Sequence, residues 1–216
     1  MELPLFPLQT VLFPGMALPL HIFEERYRLM IGRCLERNEP FGVVLIREGV
    51  EVGGPAVPFD VGTTARIVHT QRLEDGRMNL LTVGMRRFRT GPLTQVEPYL
   101  VAEVELLDDA DTDAEGVRET AEQVAALFAE YYRMSLALSD QWVSEVTLPT
   151  RPSAVADYVA GRIELDNAVK QEILETLSVS RRLEMELDLL VDAIQELAPR
   201  VLASRRQKYA GFGVLN

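Results

Sequence analysis

The sequence predicts an α+β protein with a strand-rich first half and a helical second half. Up to about residue 107, short apolar stretches alternate with turn signals, which is typical of a small barrel or sandwich. Beyond about residue 111, apolar residues recur at the three- and four-residue spacing of amphipathic helices. Such helices need partners to bury their apolar faces, so a helical bundle is expected. We therefore divide the chain into residues 1–108 and residues 109–216.

The chain begins with an apolar ribbon interrupted by prolines, LPLFPLQTVLFPGMALPL (residues 3–20). Proline lacks an N–H donor and fixes φ, so the ribbon is expected to be neither a helix interior nor a central strand. Pro14 and Gly15 suit the central positions of a type II turn, because proline presets φ and glycine accepts positive φ. This turn could lift Phe13, Met16 and Leu18 toward the protein surface, where they would form a binding site, and the alternative for each of them is a place in the barrel core.

One helix and several strands follow the ribbon. The stretches TTARIVHTQRL and RMNLLTVGMRRFRT alternate well enough to be strands, as do FGVVLI and YLVAEVELL. Asp75 and Gly76 fit the two positive-φ positions of a type I′ turn, which predicts a hairpin between the first two. The helix, HIFEERYRLMIGRCLERN, caps the core with one apolar face formed by Phe23, Tyr27, Met30, Ile31 and Cys34.

The second half is predicted to hold four helices. TDAE fits a capping box with Thr112 as the N-cap and Glu115 at the third helical position. The helix that it opens presents Val117, Val124, Phe128, Tyr131 and Leu138 on one side. The other three are a short helix through Val155, Val159 and Ile163, the segment AVKQEILETL capped by Asp166, and a long helix that ends at Pro199.

The charge and the apolar patterning exclude several classes of partner. A net charge of −11 disfavours nucleic acids and anionic membranes, which both repel an acidic protein. The basic cluster of Arg86, Arg87 and Arg89 is interpreted as a solvated strand end. The ribbon lacks the basic start of a signal peptide, and no apolar run approaches the roughly 18 residues that span a bilayer. With a single cysteine, these features predict a cytoplasmic protein.

The residue types of a catalytic or metal site are scarce. Two histidines and one cysteine do not form a recognisable ligand set, and neither lysine follows a glycine as in a phosphate loop. Ser153, in RPSAVADYV, stands in a context similar to the serine of Ser-Lys proteases, but we interpret it as a helix N-cap. The residues therefore predict no catalytic group, no metal and no cofactor.

The order of motifs resembles that of one family. LPLFPLQTVLFPGMALPLHIFEERYRLMI closely resembles the opening of the Lon protease substrate-binding (N-terminal) domain family. FGVVLI, VGTTARI, DGRMNLLTVGMRRFR, PYLVAEVELLDD and PSAVADYVAGRIELDNAVKQEILE follow in the family's order. The resemblance implies a PUA-like small β-barrel with one capping helix, followed by an α-helical bundle. It also implies a role in recognising polypeptides.

Lon proteases continue into an ATPase module and a Ser-Lys peptidase module, whereas this sequence matches neither. We therefore expect a stand-alone bacterial form of the domain that is not an enzyme. The main hypothesis is a module that binds exposed apolar segments of unfolded or partner polypeptides. Its candidate binding residues are Phe13, Pro14, Met16, Leu18 and Pro19.

Two other functions stay open. One is a scaffold or adaptor that docks a folded partner through residues 108–216, which carry 11 basic and 20 acidic side chains. The other is RNA binding by analogy with PUA-like folds, which the net charge opposes. The last segment, RRQKYAGFGVLN, is expected either to fray or to leave the bundle and dock apolar side chains on its own barrel or on a neighbouring copy. Docking on a neighbouring copy would cause self-association. The apolar side chains are Tyr209, Phe212, Val214 and Leu215.

Overall fold

The computed structural model describes residues 1–53 and 56–209, and in this part of the chain it holds six strands and five helices. The predicted α+β class is therefore confirmed. The elements in chain order are β1 (Glu2–Leu8), β2 (Ala17–Ile22), α1 (Glu25–Arg37), β3 (Phe41–Gly49), β4 (Ala56–Arg72), β5 (Met78–Gln95), β6 (Val101–Leu106), α2 (Val117–Leu138), α3 (Pro152–Ala160), α4 (Asn167–Glu175) and α5 (Val179–Tyr209).

The strands form one sheet in the order β2-β5-β4-β3-β1-β6, with an additional pairing between β5 and β6. The strand β5 is long enough to pair with β2 through Met78–Val83 and with β6 through Phe88–Gln95. The pairings therefore run from β5 through β4, β3, β1 and β6 back to β5. Among the described strands, β2 is the one that has a single neighbour.

The first part of the proline ribbon is a strand with neighbours on both sides, which corrects the expectation that prolines exclude a central position. The halves of β1 use different partners. Glu2–Pro4 pairs with β6 and Leu5–Leu8 pairs in parallel with β3. Because each half pairs with one partner, Pro4 and Pro7 can each turn their missing donor away from the ladder.

The chain folds into two compact units. The sheet unit comprises Met1–Ala110 and Ala160–Leu177, and the helical unit comprises Asp111–Val159 and the residues from Ser178 onward. The unit boundary at 110/111 lies close to the predicted division at 108/109, but α4 belongs with the strands. Side-chain hydrogen bonds explain this placement, since Gln171 Nε2 donates to the Val61 carbonyl at 2.9 Å and Arg87 Nε donates to the Leu174 carbonyl at 3.0 Å.

The Arg87 contact also corrects the interpretation of the basic cluster. Arg86 and Arg89 are exposed, but the side chain of Arg87 is 3% exposed and lies 3.4 Å from an Asp109 carboxylate oxygen. Arg87 is therefore a buried tie between β5, α4 and the segment after β6 rather than part of a solvated strand end.

In the sheet unit, α1 lies against the core as its apolar spacing predicts. Tyr27, Met30, Ile31 and Cys34 are buried in the cluster that contains Phe6, Ile22 and Phe41 on the strands. The prediction that Phe23 belongs to this face is wrong. Phe23 precedes α1, which begins at Glu25, and its side chain is 47% exposed.

The predicted hairpin joins β4 and β5, but its turn differs from the prediction. A two-residue type I′ turn needs positive φ at both central residues, whereas only Gly76 (φ +80°) has it here. The loop is one residue longer, since Gly76 N–H donates to the Leu73 carbonyl and Leu73 N–H donates to the Arg77 carbonyl. A glycine at the last position of a three-residue loop serves this geometry equally well.

In the helical unit, four of the five predicted core positions of α2 are buried: Val117, Val124, Phe128 and Tyr131. The helix starts at Val117 behind Gly116 (φ +82°), so the capping box at Thr112 and Glu115 is wrong. The N-cap role of Ser153 is also wrong, because α3 already starts at Pro152.

The last helix, α5, continues past Pro199 to Tyr209 rather than ending at the proline. Leu197 and Val201, on either side of Pro199, are both buried, and their packing favours continuation of the helix over the local preference of proline.

The start of α5 yields a prediction about acid stability. Asp111 accepts hydrogen bonds from the Ser178 hydroxyl at 2.6 Å and the Val179 N–H at 2.7 Å, and these bonds, that of Ser178 first, hold the pKa of this carboxyl below its ordinary value. The stabilisation is present above the unfolded-state pKa and is lost as the pH falls below about 4. We expect Asp111→Asn to lower the urea midpoint at neutral pH, and the gap to the wild type to narrow as the pH falls through the lowered folded-state pKa of Asp111.

The matched control for this prediction is Asp113→Asn, which changes an exposed carboxylate two residues away. A midpoint gap between Asp111→Asn and the wild type that persists unchanged in acid would contradict the proposed origin of the stabilisation.

Candidate functional site

The candidate site is built around the turn that precedes β2. Met16 N–H donates to the Phe13 carbonyl at 3.0 Å, and Gly15 has φ +78°, so the turn predicted from Pro14 and Gly15 is confirmed. Proline presets the first central position and glycine supplies the left-handed second one.

The turn is fixed to the sheet through the backbone of Gly84 on β5. Gly15 N–H donates to the Gly84 carbonyl at 2.8 Å, and Gly84 N–H donates to the Met16 carbonyl at 2.9 Å. Two residues, Gly15 and Met16, thus lie opposite one, which is a β-bulge whose first residue is a left-handed glycine. A Cβ at Gly84 would collide with the Phe13 carbonyl oxygen, so the close approach requires glycine there.

The five predicted binding residues do not share one exposed surface. Phe13 is fully buried, which corrects the expectation that the turn lifts its side chain to the surface. Met16 and Leu18 are half-buried and pack against the core cluster of the sheet unit. Pro14 is half-buried on the turn, and Pro19 is exposed on β2.

The alternation along β2 determines which side chains are accessible. Ala17, Pro19 and His21 are exposed, whereas Leu18 and Leu20 face the core. Pro19 pairs with Leu81 of β5, which is 39% exposed. Met85, four residues further along β5, is 44% exposed.

These residues define a surface that we call the outer face: Ala17 and Pro19 of β2, Val68 of β4, and Leu81, Val83 and Met85 of β5. Leu81 lies between Pro19 and His69 in the strand register, and Val68 is 43% exposed at the adjacent bulge of β4. The members on β4 and β5 were not among the residues predicted from the sequence. The alternation in RMNLLTVGMRRFRT indicates that Leu81, Val83 and Met85 share a face, but only the register with β2 shows that this face is outside.

None of the described strands pairs with the edge of β2 that faces away from β5. Since the Met16 carbonyl bonds to β5 and the register continues with Leu18 opposite Thr82, the backbone groups of Ala17, Pro19 and His21 point away from β5. Pro19 has no N–H, so the middle of this edge offers a carbonyl acceptor and no donor. This position explains why a strand can hold proline there.

Polar groups border the far end of β2. His21 Nδ1 lies 2.7 Å from Asn79 Oδ1, and Arg77 forms an ion pair with Asp75. The Arg77 backbone N–H, first among several bonds from Arg77, lowers the pKa of the Asp75 carboxyl. The register also places two exposed polar side chains beside the apolar residues of the outer face, Arg66 opposite Val83 and His69 opposite Leu81.

The thiol of Cys34 is not activated as a nucleophile. Burial, with a smaller effect of Glu39, raises the pKa of Cys34 to about 11, so its thiol stays protonated at neutral pH. Burial also raises the pKa of Tyr27, which belongs to the same buried face of α1. Both groups serve as core side chains.

The described ranges, 1–53 and 56–209, hold neither a membrane-spanning helix nor a metal-binding cluster. In those ranges, no helix has both the length and the apolar character to cross a bilayer. Nor does any group of three or more His, Cys, Asp and Glu side chains lie close enough to hold a metal ion.

Comparison with protein families gives one match over most of the chain. The model of the ATP-dependent protease La (LON) substrate-binding domain matches residues 2–192. The chain is 29% identical over 194 residues to a Lon protease of Anaeromyxobacter dehalogenans and 30% identical over 198 residues to Lon protease 2 of Myxococcus xanthus. Each alignment covers 87% of this chain and 23% of the relative, so the chain spans about a quarter of the length of these relatives.

Solved structures agree with this match. The crystal structure of a Lon N-terminal domain protein from Xanthomonas campestris has a TM-score of 0.65 and 29% identity, and the match covers 87% of this chain and 98% of that one. The N-terminal domain of the Mycobacterium avium complex Lon protease also has a TM-score of 0.65, with 24% identity and coverage of 89% and 99%. At 24% identity, the similarity to the Mycobacterium avium complex domain supports a shared fold and no further conclusion.

Proposed function

The chain belongs to the substrate-binding domain family of ATP-dependent Lon proteases, and from this premise we propose that it binds extended apolar segments of unfolded or partner polypeptides. The resemblance predicted from the motifs is thereby confirmed at the level of the family. The family supports polypeptide recognition as the general role. The binding site, the mode of binding and the apolar preference are our proposal.

The observation that carries this proposal is the open edge of β2 beside the outer face. An extended segment can add to a free strand edge through backbone hydrogen bonds and place alternate side chains on the adjacent face. The Ala17 and Pro19 carbonyls would accept N–H bonds from the segment. Pro19, Leu81 and Met85 would contact its apolar side chains, and methionine adapts well to varied partners.

The predicted binding residues take different parts in this mode. Pro14 and Pro19 contribute surface beside the edge, while Met16 and Leu18 contribute their exposed fraction and hold β2 on the core. Phe13 is excluded as a contact because it is fully buried. It instead supports the turn from inside.

We propose binding without catalysis. The matched family is a substrate-binding domain, and Cys34, a candidate nucleophile by residue type, is buried and protonated. The circuit of strands from β5 back to β5 supports the predicted PUA-like barrel as the scaffold of the site.

Substitution of Leu81 tests the site directly. Leu81→Asp places a charge at the centre of the outer face, where an apolar segment would have to desolvate it. We expect the affinity for a reduced, alkylated and therefore unfolded test protein to fall about tenfold or more, measured by fluorescence anisotropy.

The matched control is Leu93→Asp, because Leu93 lies on the same strand, is 48% exposed, and pairs with β6 rather than lying beside β2. Its affinity is expected to equal that of the wild type, with thermal unfolding of both variants confirming the fold. Equal affinities of both variants and the wild type would rule out the outer face as the binding site.

The alternative function, a scaffold that docks a folded partner through the acidic half, is favoured by the excess of acidic side chains in residues 108–216. It differs in its observable consequences. Such association would weaken steeply with added salt and would be unaffected by Leu81→Asp.

The predicted docking of the C-terminal tail falls mainly on residues 210–216, which lie outside the described residues. Self-association through this segment stays a prediction. Its first residues, up to Tyr209, continue the backbone of α5 as helix rather than as an extended chain.

A further inference from the structure

We propose that the helical unit carries a second polypeptide-binding site, a groove beside Trp142 that accepts a short segment with an apolar side chain next to a lysine or arginine. Trp142 is the only tryptophan of the chain, and it is 86% exposed. Tryptophan is enriched at the energetic centres of protein interfaces because it covers a large apolar area with a polar edge. Neither the family nor the outer face gives it a role.

The chain that leads into Trp142 is held by backbone hydrogen bonds at the end of α2. The end of α2 is closed by Ser139 N–H and Gln141 N–H, which both donate to the Leu136 carbonyl, at 3.0 and 2.9 Å. Asp140, between them, has a left-handed conformation with φ +55°. This closed turn places Trp142 directly after the helix end.

The groove has a volume of about 660 Å³ and lies entirely within the helical unit. Its lining combines aromatic and aliphatic side chains with polar ones. The lining residues are Tyr132, Leu136, Gln141, Trp142, Val143, Glu145, Val146, Thr147 and Tyr158.

Two tyrosines of the lining, Tyr132 and Tyr158, pack against the buried ring of Phe128. Phe128 is 1% exposed, stacks on Tyr132 at 5.8 Å between ring centroids, and meets Tyr158 edge to face at 5.8 Å. These contacts hold Tyr132 and Tyr158 of the lining in place, which lowers the cost of ordering the site when an apolar side chain binds.

The charge around the groove selects the occupant. Glu145 is the one Asp, Glu, Lys or Arg among the lining residues. The last turn of α2, which contributes Leu136 to the lining, has no basic side chain that would neutralise this charge. A segment with an apolar side chain next to a lysine or arginine matches both the apolar lining residues and the negative charge of Glu145.

Because Trp142 is the only tryptophan of the sequence, tryptophan fluorescence measures binding in this groove. The probe is an acetylated and amidated hexapeptide, Ala-Lys-Leu-Phe-Lys-Ala, added to the full chain. We expect a saturable blue shift of the Trp142 emission and protection from iodide quenching, because the peptide removes water from the indole. The acidic hexapeptide Ala-Glu-Leu-Phe-Glu-Ala is expected to give neither change. No response to the basic peptide, or an equal response to both, would overturn the proposal.

Variants separate the apolar from the electrostatic contribution through anisotropy of a dye-labelled basic peptide. Trp142→Ala is expected to weaken binding about 30-fold, as for an interface hot spot. Glu145→Gln should weaken it about twofold to fivefold, as for an exposed ion pair. Both side chains are exposed, so neither change should alter the unfolding temperature. Unchanged affinity in Trp142→Ala would overturn the proposal.

This site is independent of the outer face. Leu81→Asp should leave the fluorescence response of Trp142 intact, and Trp142→Ala should leave binding of the unfolded test protein at β2 intact. A failure of either site is therefore distinguishable from a failure of the other.

Discussion

Replacing Arg182 with methionine is expected to lower the free energy of unfolding of the helical unit by about 3–5 kcal/mol, which is the cost of breaking a buried ion pair by removing one partner. Arg182 is fully buried on α5, with one of its terminal nitrogens 4.0 Å from a carboxylate oxygen of Asp157, which is itself buried. Glu186, one turn further along the same helix, is fully buried as well. Methionine has a similar length but no charge, so the buried Asp157 carboxylate would lose the cation that it pairs with.

The neighbouring residue provides the control for this prediction. Arg181 lies one position before Arg182, is 64% exposed and pairs with Glu184 at 3.2 Å on the surface. Arg181→Met is expected to change stability by less than about 1 kcal/mol. Adding Asp157→Asn to Arg182→Met should recover part of the loss, because it removes the buried negative charge that Arg182 pairs with. Urea unfolding followed by circular dichroism measures all three, and similar midpoints for Arg181→Met and Arg182→Met would contradict the explanation.

Local sequence signals predicted the elements whose cause is local. The turn at Pro14 and Gly15 follows from the φ preferences of two adjacent residues, and the core face of α1 follows from helical spacing. By contrast, the start of α2 and the continuation of α5 past Pro199 depend on which side chains are buried. In both cases tertiary packing overrides the local preference of the residues. Local sequence patterns do not show which distant residues pack together.

The candidate site shows the same division more clearly. The composition of the sequence identifies the proline ribbon. It does not indicate which side chains of the ribbon face the core. Phe13 is buried while Pro19 is exposed because the bulge at Gly84 sets the register of β2. Trp142 lies in an irregular segment, where no period marks a residue as inside or outside.

Gly84→Ala is expected to affect stability and polypeptide binding together, because Gly84 is where the turn meets the sheet. The added Cβ would collide with the Phe13 carbonyl oxygen and press on the Leu12 side chain. Both Leu12 and Phe13 are buried, so the turn cannot simply move outward without exposing apolar surface. Overpacking of this kind costs about 1–3 kcal/mol, and loss of the two backbone bonds to Gly84 adds about 1 kcal/mol each.

The consequence for binding follows from the register. If the turn shifts, the bulge no longer places Ala17 and Pro19 at the free edge, so we expect the affinity for the unfolded test protein to fall about tenfold. Gly32→Ala is the control, because Gly32 lies inside α1 and a Cβ there meets no atom within 4 Å. That change should instead stabilise the helix by up to about 1 kcal/mol and leave binding unchanged. A Gly84→Ala protein with normal stability and normal binding would mean that the contact between the turn and β5 does not position β2, and the proposed site would lose its structural basis.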